Sequence, residues 1–331
     1  MNQVMEEQLT INEQMKKTAA NGEKILTIQE EQAKIFEVRK QLGQLEGNSA
    51  IYCSDSCVSR YLRARNWNVK KATKMLKDTL KWRAAYKPED IRWEDVAHEA
   101  ETGKIYRSNY LDKFGRSVLV MRPSFQNTNS TKGQIKYLVY CMENAIMNLA
   151  PNQEKMVWLI DFHGYNLSHV SLKQTKETAH VLQNHYPERL GLAILYNAPK
   201  FFEPFWMAAK VFLEPKTHNK VKFVYSDVPT SIKIMENLFD MSQLEASFGG
   251  KNEIGFNISS YSEKMKEDDK KIPSFWAKEN SSSSTPLPSL DTLKVDNDSE
   301  PSDEEKSDGV NSHVLDSGRS TPETNGTLSG T

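Results

Sequence analysis

Met156-Val157-Trp158-Leu159-Ile160-Asp161 is an almost unbroken apolar run that ends in a carboxylate. A strand apolar on both faces is expected where both faces of a sheet are covered, as in the parallel sheets of α/β proteins. Leu190–Tyr196 repeats the pattern and Val221–Tyr225 gives a third strand. Upstream, Ile105–Tyr110 and Val118–Met121 read as strands joined through the turn composition Asp112-Lys113-Phe114-Gly115. Helical patterns fill the gaps: one opened by Ser130 or Thr131, then Ser168–His185, Pro199–Pro215 and Ser231–Phe239. Strands alternating with helices predict an α/β domain with a mostly parallel sheet.

Before residue 99 the periodicity is helical. Ile25, Ile28, Ile35, Val38, Leu42 and Leu45 form one weak stripe that ends at Gly43 and Gly47-Asn48. Ser54 and Asn68 read as caps of the next two helices, the second carrying Val69, Ala72, Met75, Leu76, Leu80 and Arg83. The expected organisation is a disordered segment over 1–22, a helical module over 23–98, an α/β domain over 99–255 and an extension over 256–279. A Ser-rich acidic tail follows over 280–331, too polar to offset its ordering entropy. That tail holds ten acidic and three basic residues, a net −7, so the chain's overall −1 conceals a body of +6.

Cys53, Cys57 and Cys141 are too few for a disulfide framework, which points to reduced packing thiols and a cytoplasmic setting. The first twenty residues lack the apolar core of a secretory signal, and no apolar run approaches the ~20 residues that a spanning helix needs. The usual enzyme signatures are missing: no G-x-S-x-G elbow, phosphate loop, G-x-G-x-x-G fingerprint or H-E-x-x-H. No catalytic residue, metal or cofactor is therefore expected. Asp161, at a strand end, reads as a cap of the turn at His163-Gly164.

Residues 201–215 do not read as a surface helix. Phe201, Phe202, Phe205, Trp206, Met207, Val211, Phe212 and Leu213 surround it, with Glu203 and Lys210 the only charges before Glu214. Such a helix is either central to the core or a lid over an apolar cavity that meets lipid when open.

Several stretches resemble the CRAL-TRIO family of lipid-binding and lipid-transfer proteins. Leu62-Arg63-Ala64-Arg65 with Trp67 and Lys81-Trp82-Arg83 matches its N-terminal module, and Gly115-Arg116 with Ile160-Asp161-Phe162-His163-Gly164 matches its sheet. Tyr186-Pro187-Glu188-Arg189-Leu190-Gly191, Tyr196-Asn197-Ala198-Pro199, Phe212-Leu213-Glu214-Pro215 and Phe248-Gly249-Gly250 follow in the family's order. The resemblance covers about residues 50–255 and is closest to the plant single-domain members. It implies a helical bracket beside a mixed sheet that floors a lipid pocket, with 201–215 as the gating helix.

The resemblance also implies a ligand. Burying two acyl chains, roughly 30 methylenes, is worth near 25 kcal/mol, but a bilayer offers almost the same, so the headgroup must set specificity. Arg65, Glu188, Thr217 and Lys220 match the residues that hold phosphatidylinositol: three donors suit a phosphodiester, and a carboxylate accepts from inositol hydroxyls. The plainer alternative is a domain-bracing Arg65–Glu188 ion pair. Leu119, Met156 and Trp158 stand where the family keeps the hydroxyl side chains that serve phosphatidylcholine, so that lipid is expected to bind weakly. The implied function is non-catalytic transfer of phosphatidylinositol by a monomer that docks transiently on anionic membranes and binds no nucleic acid. Alternatives are presentation of the lipid to a lipid kinase, or carriage of another small hydrophobic ligand.

Overall fold

The computed structural model describes residues 26–169 and 171–277. The disorder expected over 1–22 and 280–331 falls outside these residues.

Among the described residues, five α-helices come ahead of the sheet: α1 (Ile28–Leu42), α2 (Gly47–Tyr52), α3 (Asp55–Ala64), α4 (Val69–Tyr86) and α5 (Trp93–Ala100). Side-chain caps explain most starts. Thr27 and Glu30 form a capping box on α1, Ser54 accepts from the Cys57 amide, and Asn68 from the Lys71 amide. The short α2 occupies the place where Gly47-Asn48 reads as a helix end; Gly43 alone ends α1.

The sheet follows: β1 (Ile105–Leu111), β2 (Ser117–Met121), β3 (Met156–Asp161), β4 (Leu190–Tyr196) and β5 (Val221–Val224), lying side by side in chain order. Only the β1–β2 pair is antiparallel. The fold is α/β with a mixed, mostly parallel sheet, as the strand composition predicts. Parallel neighbours need crossovers. Helices α6 (Thr131–Met147), α7 (Leu172–His185) and the pair α8 (Phe202–Lys210) and α9 (Pro215–His218) lie in the three connections. After β5 come α10 (Pro229–Leu238), α11 (Ile258–Asp269) and α12 (Ile272–Ala277).

Two readings shift. Helix α7 starts at Leu172, capped by Ser171, rather than at Ser168, because residues 167–169 form a separate tight turn. The stretch 201–215 is not one helix. Helix α8 stops at Lys210, and Glu214 is extended (ψ 144°) ahead of Pro215. A proline ring disfavours helical backbone in the residue before it, and proline then opens α9 at its first position.

Two large apolar clusters build the body, one within α1–α4 and one around β1–β4, α6 and α11. Charged groups tie the early helices to the sheet domain. Arg60 and Arg63 both bond Glu154, and Arg83 (6% side-chain exposure) pairs with Glu143 at 2.8 Å and Glu89 at 3.2 Å. Burial would raise the Glu154 carboxyl, but its two guanidiniums win and hold it below the usual range. The three cysteines are free and buried. Among the described residues, no helix is long and apolar enough to cross a membrane, and no His, Cys, Asp and Glu group could hold a metal.

Candidate functional site

Strand register lines up two rows on one sheet face. Met121, Ile160, Leu195 and Phe223 form one, and Leu119, Trp158, Ala193 and Val221 the other. Helix α8 covers part of this face. Phe202 packs against Phe162 (centroids 4.5 Å) and Phe205 (5.2 Å), Trp206 meets Phe223 edge-on at 6.1 Å, and Phe201 stacks with Tyr165 at 6.1 Å. These contacts form an apolar cluster of their own, separate from the two main ones. Of the helix itself only Phe202 and Ala209 are buried, while Met207 is 63% exposed and Val211, just past it, 76%. The helix is therefore attached along one side, not enclosed all round.

Beside it lies a cavity of about 80 Å³. Its apolar lining residues include Leu182, Leu190, Leu213 and Trp158, and its polar ones Glu188, Glu214, Lys216, Thr217 and Lys220. Glu188 follows α7 in the turn to β4 and holds a left-handed backbone (φ 59°), uncommon for a residue with a side chain. Its carboxylate accepts from Lys220 Nζ at 3.3 Å. Thr217 sits in α9, and its carbonyl accepts the Lys220 amide at 3.0 Å, which fixes the lysine one residue before β5.

Arg65 caps the end of α3 and does not meet Glu188. Its Nη1 donates to Glu214 Oε1 at 2.7 Å, so the bracing pair Arg65–Glu188 is replaced by two separate pairs. Gln183 on α7 clamps the same segment: its amide nitrogen donates to the Phe212 carbonyl, and its Oε1 accepts the Glu214 amide at 2.6 Å. Phe212 and Leu213 thus belong to a tethered strap after α8.

Three of the four headgroup candidates, Glu188, Thr217 and Lys220, share the cavity wall, and Arg65 reaches it through Glu214. Trp158 lines the cavity, whereas Leu119 and Met156 are wholly buried and do not. Glu214 and Tyr186 lie inside motifs that the sequence displays, but neither is singled out there. Gln183 carries no sequence signal at all. Chemically the lining offers ammonium and hydroxyl donors beside two carboxylates, together with apolar surface, a chemistry complementary to an amphiphile carrying an oxyanion and hydroxyls.

Residues 100–250 match the family model of the CRAL/TRIO domain, and residues 12–78 that of the CRAL/TRIO N-terminal domain. A CRAL-TRIO domain-containing protein of Schizosaccharomyces pombe is 34% identical over 64% of this chain and 20% of its own length. The phosphatidylinositol transfer protein PDR17 of Saccharomyces cerevisiae is 34% identical over 60% of this chain and 58% of its own. The SEC14 cytosolic factor of Kluyveromyces lactis is 27% identical over 68% and 79%. The chain thus spans from a fifth to little over half of the first two of these relatives. The crystal structure of Sfh5 is alike in fold, with a TM-score of 0.55 at 16% identity, covering 72% of this chain and 92% of that one.

Proposed function

We infer the function from one premise, that the chain belongs to the CRAL/TRIO family: it takes a phospholipid into the cavity beside α8 and carries it between membranes without making or breaking a bond. Phosphatidylinositol is the lipid that the wall suits best. The observation that carries this reading is the meeting of Glu188, Thr217 and Lys220 in the lining of one cavity, together with apolar side chains. Lys220 and Thr217 donate to the phosphodiester, and Arg65 joins them once it leaves Glu214. Glu188 accepts from inositol hydroxyls. Leu119, Met156 and Trp158 offer no hydroxyl, which supports weak binding of phosphatidylcholine.

The cavity as it stands has room for a handful of waters, far less than a phospholipid. Loading therefore requires α8 and the 211–214 strap to move away from the sheet. The separate apolar cluster under α8 supports this, since an element held by few shared core contacts opens at lower cost. The +6 body favours transient docking on an anionic membrane surface in the cytoplasm.

Mass spectrometry of lipid bound to the purified protein tests the ligand: phosphatidylinositol is expected, and a load of mainly phosphatidylcholine refutes it. Intermembrane transfer by the Glu188→Ala, Lys220→Ala double variant tests the site. Loss of phosphatidylinositol transfer with an unchanged circular dichroism spectrum is expected; unchanged transfer refutes it.

A further inference from the structure

Trp158 stands in the middle of β3, between Leu119 on β2 and Ala193 on β4, and lines the cavity that Glu188 and Lys220 share. Its indole nitrogen has no accessible surface and no hydrogen-bond partner. An indole N–H can only donate, and when buried it nearly always finds an acceptor. The charged groups around the cavity are already matched, Lys220 with Glu188 and Arg65 with Glu214. Among the described residues, Trp158 is thus a lining side chain whose N–H, sealed off while the cavity is this small, is left unsatisfied.

Its position suggests what satisfies it. One step along the same sheet face is Ile160, which packs in the aromatic cluster under α8. In the neighbouring strands, Ala193 pairs with both Trp158 and Val221, and Val221 directly follows Lys220. Trp158 therefore lies between apolar surface on one side and the charged wall on the other. A glycerophospholipid has the same order: acyl chains, then ester carbonyls, then phosphate and headgroup.

We propose that the Trp158 indole N–H donates to an ester carbonyl of the bound lipid, and that the protein thereby selects ester-linked over ether-linked glycerolipids. The proposal rests on the phospholipid reading above and assigns one further ligand atom to it. An ether lipid of the same chain length and headgroup lacks the carbonyl and leaves the donor unpaired, while every other contact is kept.

The test uses the full chain and vesicles carrying either diacyl or dialkyl-ether phosphatidylinositol of matched chain length, with uptake titrated for each. The wild-type protein is expected to favour the diacyl lipid by roughly three- to tenfold, the worth of one neutral hydrogen bond. Trp158→Phe keeps an aromatic ring but removes the donor, and is expected to abolish that preference by weakening diacyl uptake alone. Equal uptake of the two lipids by the wild-type protein overturns the proposal, a measurement that needs no variant to fold. An equal loss for both lipids in Trp158→Phe overturns it too, since the ring then only packs or the donor meets the phosphate. Uptake of neither lipid by the wild-type protein removes the phospholipid reading itself.

Discussion

Arg65 and Glu214 are joined across the chain: the guanidinium at the end of α3 donates at 2.7 Å to the carboxylate just before α9, so the arginine is already ion-paired within the protein. The pair is part-exposed, 24% and 39% by side chain. Such pairs contribute about 0–1 kcal/mol to stability. Glu214→Gln is therefore expected to leave chemical denaturation within about 1 kcal/mol of wild type while strengthening phosphatidylinositol binding severalfold. Arg65→Ala is expected to weaken it. An equilibrium displacement titration with fluorescent lipid reads both signs, and equal effects of the two variants contradict a role for Arg65 in headgroup binding.

His185 predicts acid sensitivity. It is buried, bonded through Nδ1 to the Thr79 hydroxyl at 3.2 Å and stacked on Trp82 with centroids 4.1 Å apart. Burial, with His180 and Arg83 nearby, pushes it down to about 4 from an ordinary 6.5. The unfolded chain takes up this proton first as pH falls, so the contribution is complete above about pH 6.5 and is lost as the pH drops towards 4. Between pH 7 and pH 5 the loss from this one group is roughly 2 kcal/mol. Urea titrations at both values should show a smaller acid penalty in His185→Phe than in wild type.

Arg83 is expected to be the costliest single charge to remove. It holds Glu143 and Glu89 and lies over the Tyr52 ring at 4.5 Å. Arg83→Leu strands two largely buried carboxylates and should cost about 3–5 kcal/mol, read by urea denaturation. Adding Glu143→Leu should recover part of that loss; a strictly additive double variant would show that the two residues do not interact.

Local signals made much of this readable in advance. The apolar run 156–161 is β3 to the residue, and Ser54, Asn68 and Ser130 cap helices through their own side chains. Asp161 accepts the His163 amide at 2.9 Å, the turn cap that its position predicts. What could not be read is what depends on distance along the chain. Arg65 and Glu214 are 149 residues apart, and Gln183 reaches the strap from a helix of its own. No periodicity encodes such pairs. The end of α8 fails for a different reason: apolar residues continue through Leu213, and the backbone limit set by Pro215 overrides them.

Two adjacent glycines should differ sharply. Gly249 has a left-handed backbone (φ 82°) but no clash, with the Tyr196 hydroxyl at an ordinary contact distance of 3.5 Å from where a Cβ would lie. Gly250 would place a Cβ 1.9 Å from the Leu244 carbonyl oxygen, a backbone atom that cannot step aside. Gly249→Ala should cost about 1 kcal/mol. Gly250→Ala should cost clearly more, because the turn itself must shift. Melting temperatures of the two variants give the order, and the reverse order contradicts the packing.

The concealed thiols make the protein a ready host for site-directed spectroscopy. Cys53 and Cys57 have no exposed surface and Cys141 only 2%. Burial pushes Cys53 and Cys141 up to about 12 and raises Cys57 as well, so almost no thiolate exists near neutrality. A maleimide dye or spin label would pass over the native chain. A lone cysteine substituted at Met207 would then be the single reactive address, set on the helix that the proposed loading step requires to leave the sheet.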